Sequence, residues 1–225
     1  MRVIAFLLLL TSLRVSAAAP TTAEIVRRHL EAIGGARWQQ VDSLLITGSG
    51  AIGTVTWAWK KPDRVRTEER EPAGRTLVTA YDGQSAWIIN PFQEARPRAM
   101  TPEETRQWRA GLAIRSDLLD LGKSDALELL GSENVDGKPA WKLRLRRDSS
   151  DEVFLWIDAK SFLLVQRART IAAPWGGERT PVTPLRDYRN VEGLMLPHAV
   201  GTTRLTIEVN PELDDATFRP PASIR

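Results

Sequence analysis

The sequence predicts a mainly β fold: about eleven short antiparallel strands in one sheet, with an apolar face wrapped over by two helical segments. Apolar and polar residues alternate with period two through most of the chain, which puts one set of side chains on each face of a strand. Turn residues (Asp-Gly, Glu-Gly, Lys-Pro-Asp) recur at hairpin spacing. Helices do not alternate with the strands, so the pairing is antiparallel rather than βαβ.

The elements follow in order. Residues 1–17 open with Met1-Arg2, continue as the unbroken apolar run Val3 to Leu10, and end on the small residues Val15-Ser16-Ala17. That is the grammar of a secretory signal peptide, too short to span a bilayer, with cleavage expected after Ala17 and a mature chain of 18–225 read as one domain. Thr21 or Thr22 can cap a helix over about 22–34, with Ile25, Val26, His29, Leu30 and Ile33 on its apolar side and Gly34-Gly35 as its stop. Strands are expected at 41–49, 53–60, 64–70, 75–81 and 85–89. Residues 90–99 read as a Pro-bearing loop. Thr101-Pro102-Glu103-Glu104 is a helix start, and a helical stretch weakened at Gly111 is expected to run to about Leu121. Strands resume at 126–135, 139–147, 151–158 and 162–171. After a Gly/Pro-rich loop over 172–181 they close the chain at 184–191, 194–200 and 203–209.

The faces of these strands carry the functional clue. Val55, Trp57 and Trp59 oppose Thr54, Thr56 and Ala58; Trp141, Leu143 and Leu145 oppose Lys142, Arg144 and Arg146; Leu205 and Ile207 oppose Thr206 and Glu208. With Trp87 and Ile89 these apolar residues are the expected inner wall. In 151–158, by contrast, Phe154 and Trp156 make the second face apolar too. A long sheet must cover its dry face by closing into a barrel or by accepting helices, and two short helices leave volume that is either side-chain core or ligand cavity. Eight Trp favour a rigid apolar wall. Trp108, Leu112, Leu118 and Leu119 of the 101–121 segment are expected to form a lid over the open mouth, either movable or permanently packed.

Composition excludes much else. Cys is absent, which removes disulfides, zinc–thiolate centres and cysteine nucleophiles, and His occurs twice, at His29 and His198, so no metal centre or cofactor is expected. Removing Arg2 and Arg14 with the leader leaves 29 basic and 28 acidic residues, a net charge of +1, and no basic run interleaved with aromatics; nucleic acid is a poor partner and stable membrane insertion is not expected. No HExxH, GxSxG or GxGxxG occurs, and Gly122-Lys123-Ser124 fails as a phosphate loop because Asp117 stands where its first glycine belongs. His29 reads as a core histidine. No catalytic constellation emerges, so the chain is read as a non-enzyme.

Several stretches are similar to the periplasmic outer-membrane lipoprotein-sorting superfamily that includes LolA and LolB: AEIVRRHLEAIGG from Ala23, YDGQSAWIINPF from Tyr81, FLWIDAKSFLLV from Phe154, YRNVEGLMLPH from Tyr188 and VNPELDDATF from Val209. The resemblance implies an unclosed antiparallel β-barrel with helices on its open side. It further implies a periplasmic carrier whose concave face receives lipoprotein acyl chains or another hydrophobic amphiphile, working with an inner- or outer-membrane partner. Without a Cys after the leader the chain cannot be lipidated there. The alternative is a non-transport interaction module of the envelope, with the concavity filled by its own side chains.

Overall fold

The computed structural model describes residues 19–51, 53–112, 114–122, 126–147, 152–172 and 178–222; the expected signal peptide lies outside them. Helix α1 (Thr22–Ala32) begins where Thr21 caps it, the Thr21 hydroxyl accepting from the Glu24 N–H at 3.2 Å. It ends at Gly34, whose φ of +124° suits glycine and where a Cβ would stand 2.9 Å from the Gly193 carbonyl and the Leu194 side chain. A 3-10 turn over Gly35–Gln40, not foreseen from sequence, then buries Trp38, whose indole N–H donates to the Ile33 carbonyl at 3.1 Å.

Six strands follow: β1 (Ser43–Gly50), β2 (Gly53–Lys60), β3 (Arg64–Arg70), β4 (Thr76–Tyr81), β5 (Ala86–Asn90) and β6 (Glu94–Ala99). Helix α2 (Pro102–Gly111) comes next, then β7 (Ala126–Val135), β8 (Lys138–Arg146), β9 (Glu152–Asp158), β10 (Leu164–Arg169), the short pair β11 (Ile171–Ala172) and β12 (Glu178–Arg179), and finally β13 (Val182–Val191), β14 (Leu194–Val200) and β15 (Thr203–Val209). Thirteen strands make one antiparallel sheet in the order β6-β5-β4-β3-β2-β1-β15-β14-β13-β10-β9-β8-β7. The pairing of β1 with β15 joins the early meander to the late one, while β6 and β7 remain as free edges, so the sheet is an open barrel.

Three expectations are corrected. The 90–99 loop contains β6, an edge strand able to hold Pro97 because an edge needs fewer ladder bonds. The helix expected to reach Leu121 stops at Gly111: Leu112 is extended, and residues 114–121 run as bends and turns that place Leu118 and Leu119 on the inner clusters. The expected 172–181 loop is entered and left by the β11–β12 pair.

Cross-strand pairs fix the faces, since directly opposed residues share one. Leu44 opposes Trp59 and Val209, and Ile46 opposes Trp57 and Ile207; Trp141, Leu143 and Leu145 oppose Ile157, Leu155 and Val153. These pairs form two inner clusters, the first closed by Ile33 and Trp38, the second by Ile25 of α1 and Leu118. Trp87 and Ile89 break the expected pattern. Tyr81 continues the inner row Trp59–Val65–Tyr81, so Ala80 and its partner Trp87 face outward, as do Val78 and its partner Ile89. Trp87 is nonetheless buried, because the C-terminal segment crosses the outer face: its indole N–H donates to the Phe218 carbonyl at 3.0 Å, and Arg66 stacks on its ring. On the outer face of β9, Trp156 and Phe154 pack with Val135 and Ala140, under Lys142 and with the Trp156 N–H donating to Glu133 at 2.7 Å.

Candidate functional site

The concave side holds a chain of spaces. A cavity of about 190 Å³ lies against Leu44, Ile46, Trp57, Leu205 and Ile207, with Leu196 and Ile114 closing it. A smaller pocket of about 60 Å³ adjoins it beneath α1, between Ile33, Trp38, Leu164 and Leu185. Outside them is an open mouth of about 810 Å³, lined by Trp59, Val65, Tyr81 and Leu112 among the charged groups Asp63, Arg106, Arg109, Arg115, Asp120 and Arg147. Ile114 borders all three, and Ser116 and Asp117 border both the mouth and the small pocket. With Arg115, which also borders the mouth and the small pocket, residues 114–117 lie between the mouth and the inner spaces.

That segment is fastened at two points. The Asp117 carboxylate, 3% exposed, accepts from Arg167 of β10 at 2.7 and 3.1 Å and from Arg147 at 2.9 Å. Burial raises its pKa, but the two guanidinium groups, Arg167 foremost, more than offset that and hold the carboxyl below its usual range. One residue earlier, the Ser116 hydroxyl lies 2.8 Å from His29 Nε2, while His29 Nδ1 lies 2.8 Å from the Phe162 carbonyl. A carbonyl only accepts, so Nδ1 carries the proton; Nε2 accepts from the Ser116 hydroxyl when the ring is neutral and donates to it when the ring is protonated. Burial pushes its pKa down, partly countered by the bond to Phe162.

The mouth is built from stacked pairs. Arg115 lies 4.2 Å from the Trp59 ring centroid and pairs with Asp120; Arg109 lies 4.4 Å from that of Tyr81 and binds both oxygens of Asp63 at 2.7 and 2.6 Å. Helix α2 is set over it by a capping box: the Thr101 hydroxyl accepts from the Glu104 N–H, and Glu104 accepts from the Thr101 N–H and from Arg98. These bonds hold the Glu104 carboxyl down to about 2.

Of the residues expected on the inner wall, Trp57, Leu205 and Ile207 line the apolar cavity and Trp59 lines the mouth. Val55 is buried in the inner cluster without lining either. Leu143 and Leu145 are wholly buried and Trp141 half-buried in the second cluster beneath α1, where side chains fill the space. Trp87 and Ile89 lie on the opposite face. Among the expected lid residues, Trp108, Leu112 and Leu119 pack on the first inner cluster and Leu118 is buried in the second. Sequence reasoning missed Asp117, Ser116 and Arg167. No local signal marked them: a register shift between Leu164 and Gln166 turns Arg167 inward, out of phase with Leu164.

Comparison of structures finds proteins of the superfamily that the sequence stretches resemble. The chain is similar to a LolA superfamily protein from Nitrosomonas europaea, at 16% identity and a TM-score of 0.48 over 86% of this chain and 97% of that one. It is similar to a domain assigned to outer membrane lipoprotein sorting from Vibrio parahaemolyticus, at 13% identity and 0.48 over 87% and 94%. A DUF1329 family protein from Desulfovibrio piger matches at 11% identity and 0.44 over 87% and 95%. No family model matches the chain, and no curated protein matches it. Among the described residues no helix is long and apolar enough to cross a membrane, and no group of three His, Asp or Glu is placed to hold a metal ion.

Proposed function

We propose that the chain is a periplasmic carrier, exported by residues 1–17, that shelters the alkyl part of an amphiphile, such as lipoprotein acyl chains, in the inner cavity of its open barrel. The observation that carries this reading is the apolar cavity of about 190 Å³ beside an 810 Å³ mouth, with Ile114 lining both. Burial is worth about 0.8 kcal/mol per methylene, so even a partly sheltered chain gains several kcal/mol over water. Residues 112–121 serve as the gate: opening parts Asp117 from Arg167 and Ser116 from His29 and merges mouth with interior. Release then goes to a membrane partner or a better apolar sink, with no chemical step.

A second reading keeps the same fold as an envelope interaction module. Half of the concave face favours it, because Trp141, Leu143 and Leu145 are already packed by Ile25 and Leu118. One experiment separates the two. The mature protein is purified, its lipids are extracted for mass spectrometry, and the stripped protein is titrated with a fluorescent fatty acid. Co-purified lipid or saturable uptake supports carriage. Neither, at micromolar protein, leaves the interaction module.

A further inference from the structure

The sheet has a seam. Strands β10 and β13 pair only through Gln166–Pro184, Arg167–Thr183 and Ala168–Val182. Pro184 has no N–H, so the ladder cannot continue through it in the ordinary way. Beyond it β13 runs on to Val191 bonded to β14 alone, with Asp187 at a φ of +55° alongside the gap. On the β10 side the Leu164 carbonyl accepts from the Tyr188 hydroxyl, at 2.7 Å.

Spaces lie on both sides of this seam. Leu185 and Tyr188 border the 60 Å³ pocket inside, and the same two residues border a cleft of about 740 Å³ outside. That cleft has an apolar floor of Ala140, Leu163 and Val165, continuous with the outer apolar cluster, and a rim of both charges, Lys138, Lys160 and Arg186 with Asp136, Asp158 and Asp187. The two inner spaces, about 190 and 60 Å³, fall short of the roughly 300–1,000 Å³ that ligand pockets usually offer. A long chain seated there has to extend beyond them.

We propose that the seam is a side port plugged by Tyr188, and that the outer cleft is a binding subsite for the far end of a long alkyl chain whose middle lies in the inner cavity. The proposal rests on the carrier reading and makes the interior a passage from mouth to cleft instead of a blind pocket. Tyr188 suits a plug. Burial raises the pKa of its hydroxyl, and a single hydrogen bond holds the ring across the gap, so one side chain has to turn and the sheet need not part.

The test uses hexadecanoic and decanoic acids carrying a diazirine at the terminal carbon, photolysed on the mature protein and mapped by mass spectrometry. The expected result is that the longer acid labels peptides containing Lys138–Ala140 or Leu163–Val165, while the shorter labels those containing Trp57, Leu205 or Ile207. Tyr188→Phe, which removes the hydrogen bond and keeps the ring, is expected to raise outer-cleft labelling by the longer acid about fivefold. Hexadecanoic acid labelling only the inner cavity or residues 112–120 of the mouth would overturn the port and leave the carrier intact. No labelling by either acid at any of these places would overturn the carrier reading and the port together. The mapping needs no variant, so it decides the matter even where Tyr188→Phe lowers stability.

Discussion

Removing the carboxylate of Asp117 tests how the gate is fastened. In Asp117→Ala the Arg167 guanidinium, whose side chain is 10% exposed, loses the acceptor of two of its N–H groups and is left as a buried charge. Breaking a buried pair from one side costs about 3–5 kcal/mol, and for a chain of this size each kcal/mol moves Tm by roughly 2–4 °C, so a fall of about 6–20 °C is expected. Asp120→Ala is the internal control: Asp120 is 59% exposed beside Arg115, and its loss should cost less than about 1 kcal/mol. The double change Asp117→Leu with Arg167→Met removes both charges and should recover most of the loss. The carboxyl of Asp117 lies below its unfolded value of about 3.9, so its stabilisation is present above that pH and disappears as pH falls through the folded value; Asp117→Asn should lose this part of the acid sensitivity. The assay is differential scanning calorimetry at several pH values, alongside the rate of fatty-acid uptake, which should rise as the gate loosens. A Tm for Asp117→Ala within about 2 °C of the native protein, no different from Asp120→Ala, refutes the reasoning.

Other outcomes follow from the same geometry. His29 is neutral and its pKa is depressed by burial, so its contribution is intact above the unfolded value of about 6.5 and drains away as pH falls below it; the urea midpoint should drop between pH 7.5 and 5.5, and an equally steep drop in His29→Gln would show that His29 is not the cause. Gly53→Ala should lower stability by at least about 1–3 kcal/mol in urea titration, because φ is +120° and the new Cβ would stand 1.9 Å from the Arg70 carbonyl. A brominated acyl chain should quench the fluorescence of the native protein and of Trp156→Phe alike, and quench Trp57→Phe less, since Trp57 lines the cavity and Trp156 lies on the outer face.

Alternation made most strands legible before any coordinates. Trp57 and Trp59, or Trp141 and Leu143, alternate with small or polar residues that leave one choice of face. The 85–89 run is different: Trp87, Ile88 and Ile89 are consecutive apolar residues with no parity to read, and what settles their face is Phe218, 131 positions away. Strand β6 was hidden by its own edge chemistry, since Pro97 and the arginines around it read as a loop. The fastening of the turns after α2 rests on Asp117 meeting Arg167, 50 positions apart, a pairing that no local spacing announces.

The two free edges bear on what this protein must avoid. A sheet left open displays a row of unpaired N–H and C=O groups on each outer strand, which invites copies to stitch together side by side into insoluble assemblies. Strand β6 answers with Pro97 between Arg96 and Arg98, breaking the row and charging it. Strand β7 answers with a register shift between Leu129 and Gly131, where φ is +124°, and with Glu128 and Glu133 along its length. Each edge is thus spoiled as a template by residues outside the inner clusters. Replacing Pro97 with Val and Glu128 with Thr, while keeping Glu133 for the Trp156 indole, would weaken that protection and spare the cavity, and the first sign of trouble would be turbidity on standing rather than a change in melting.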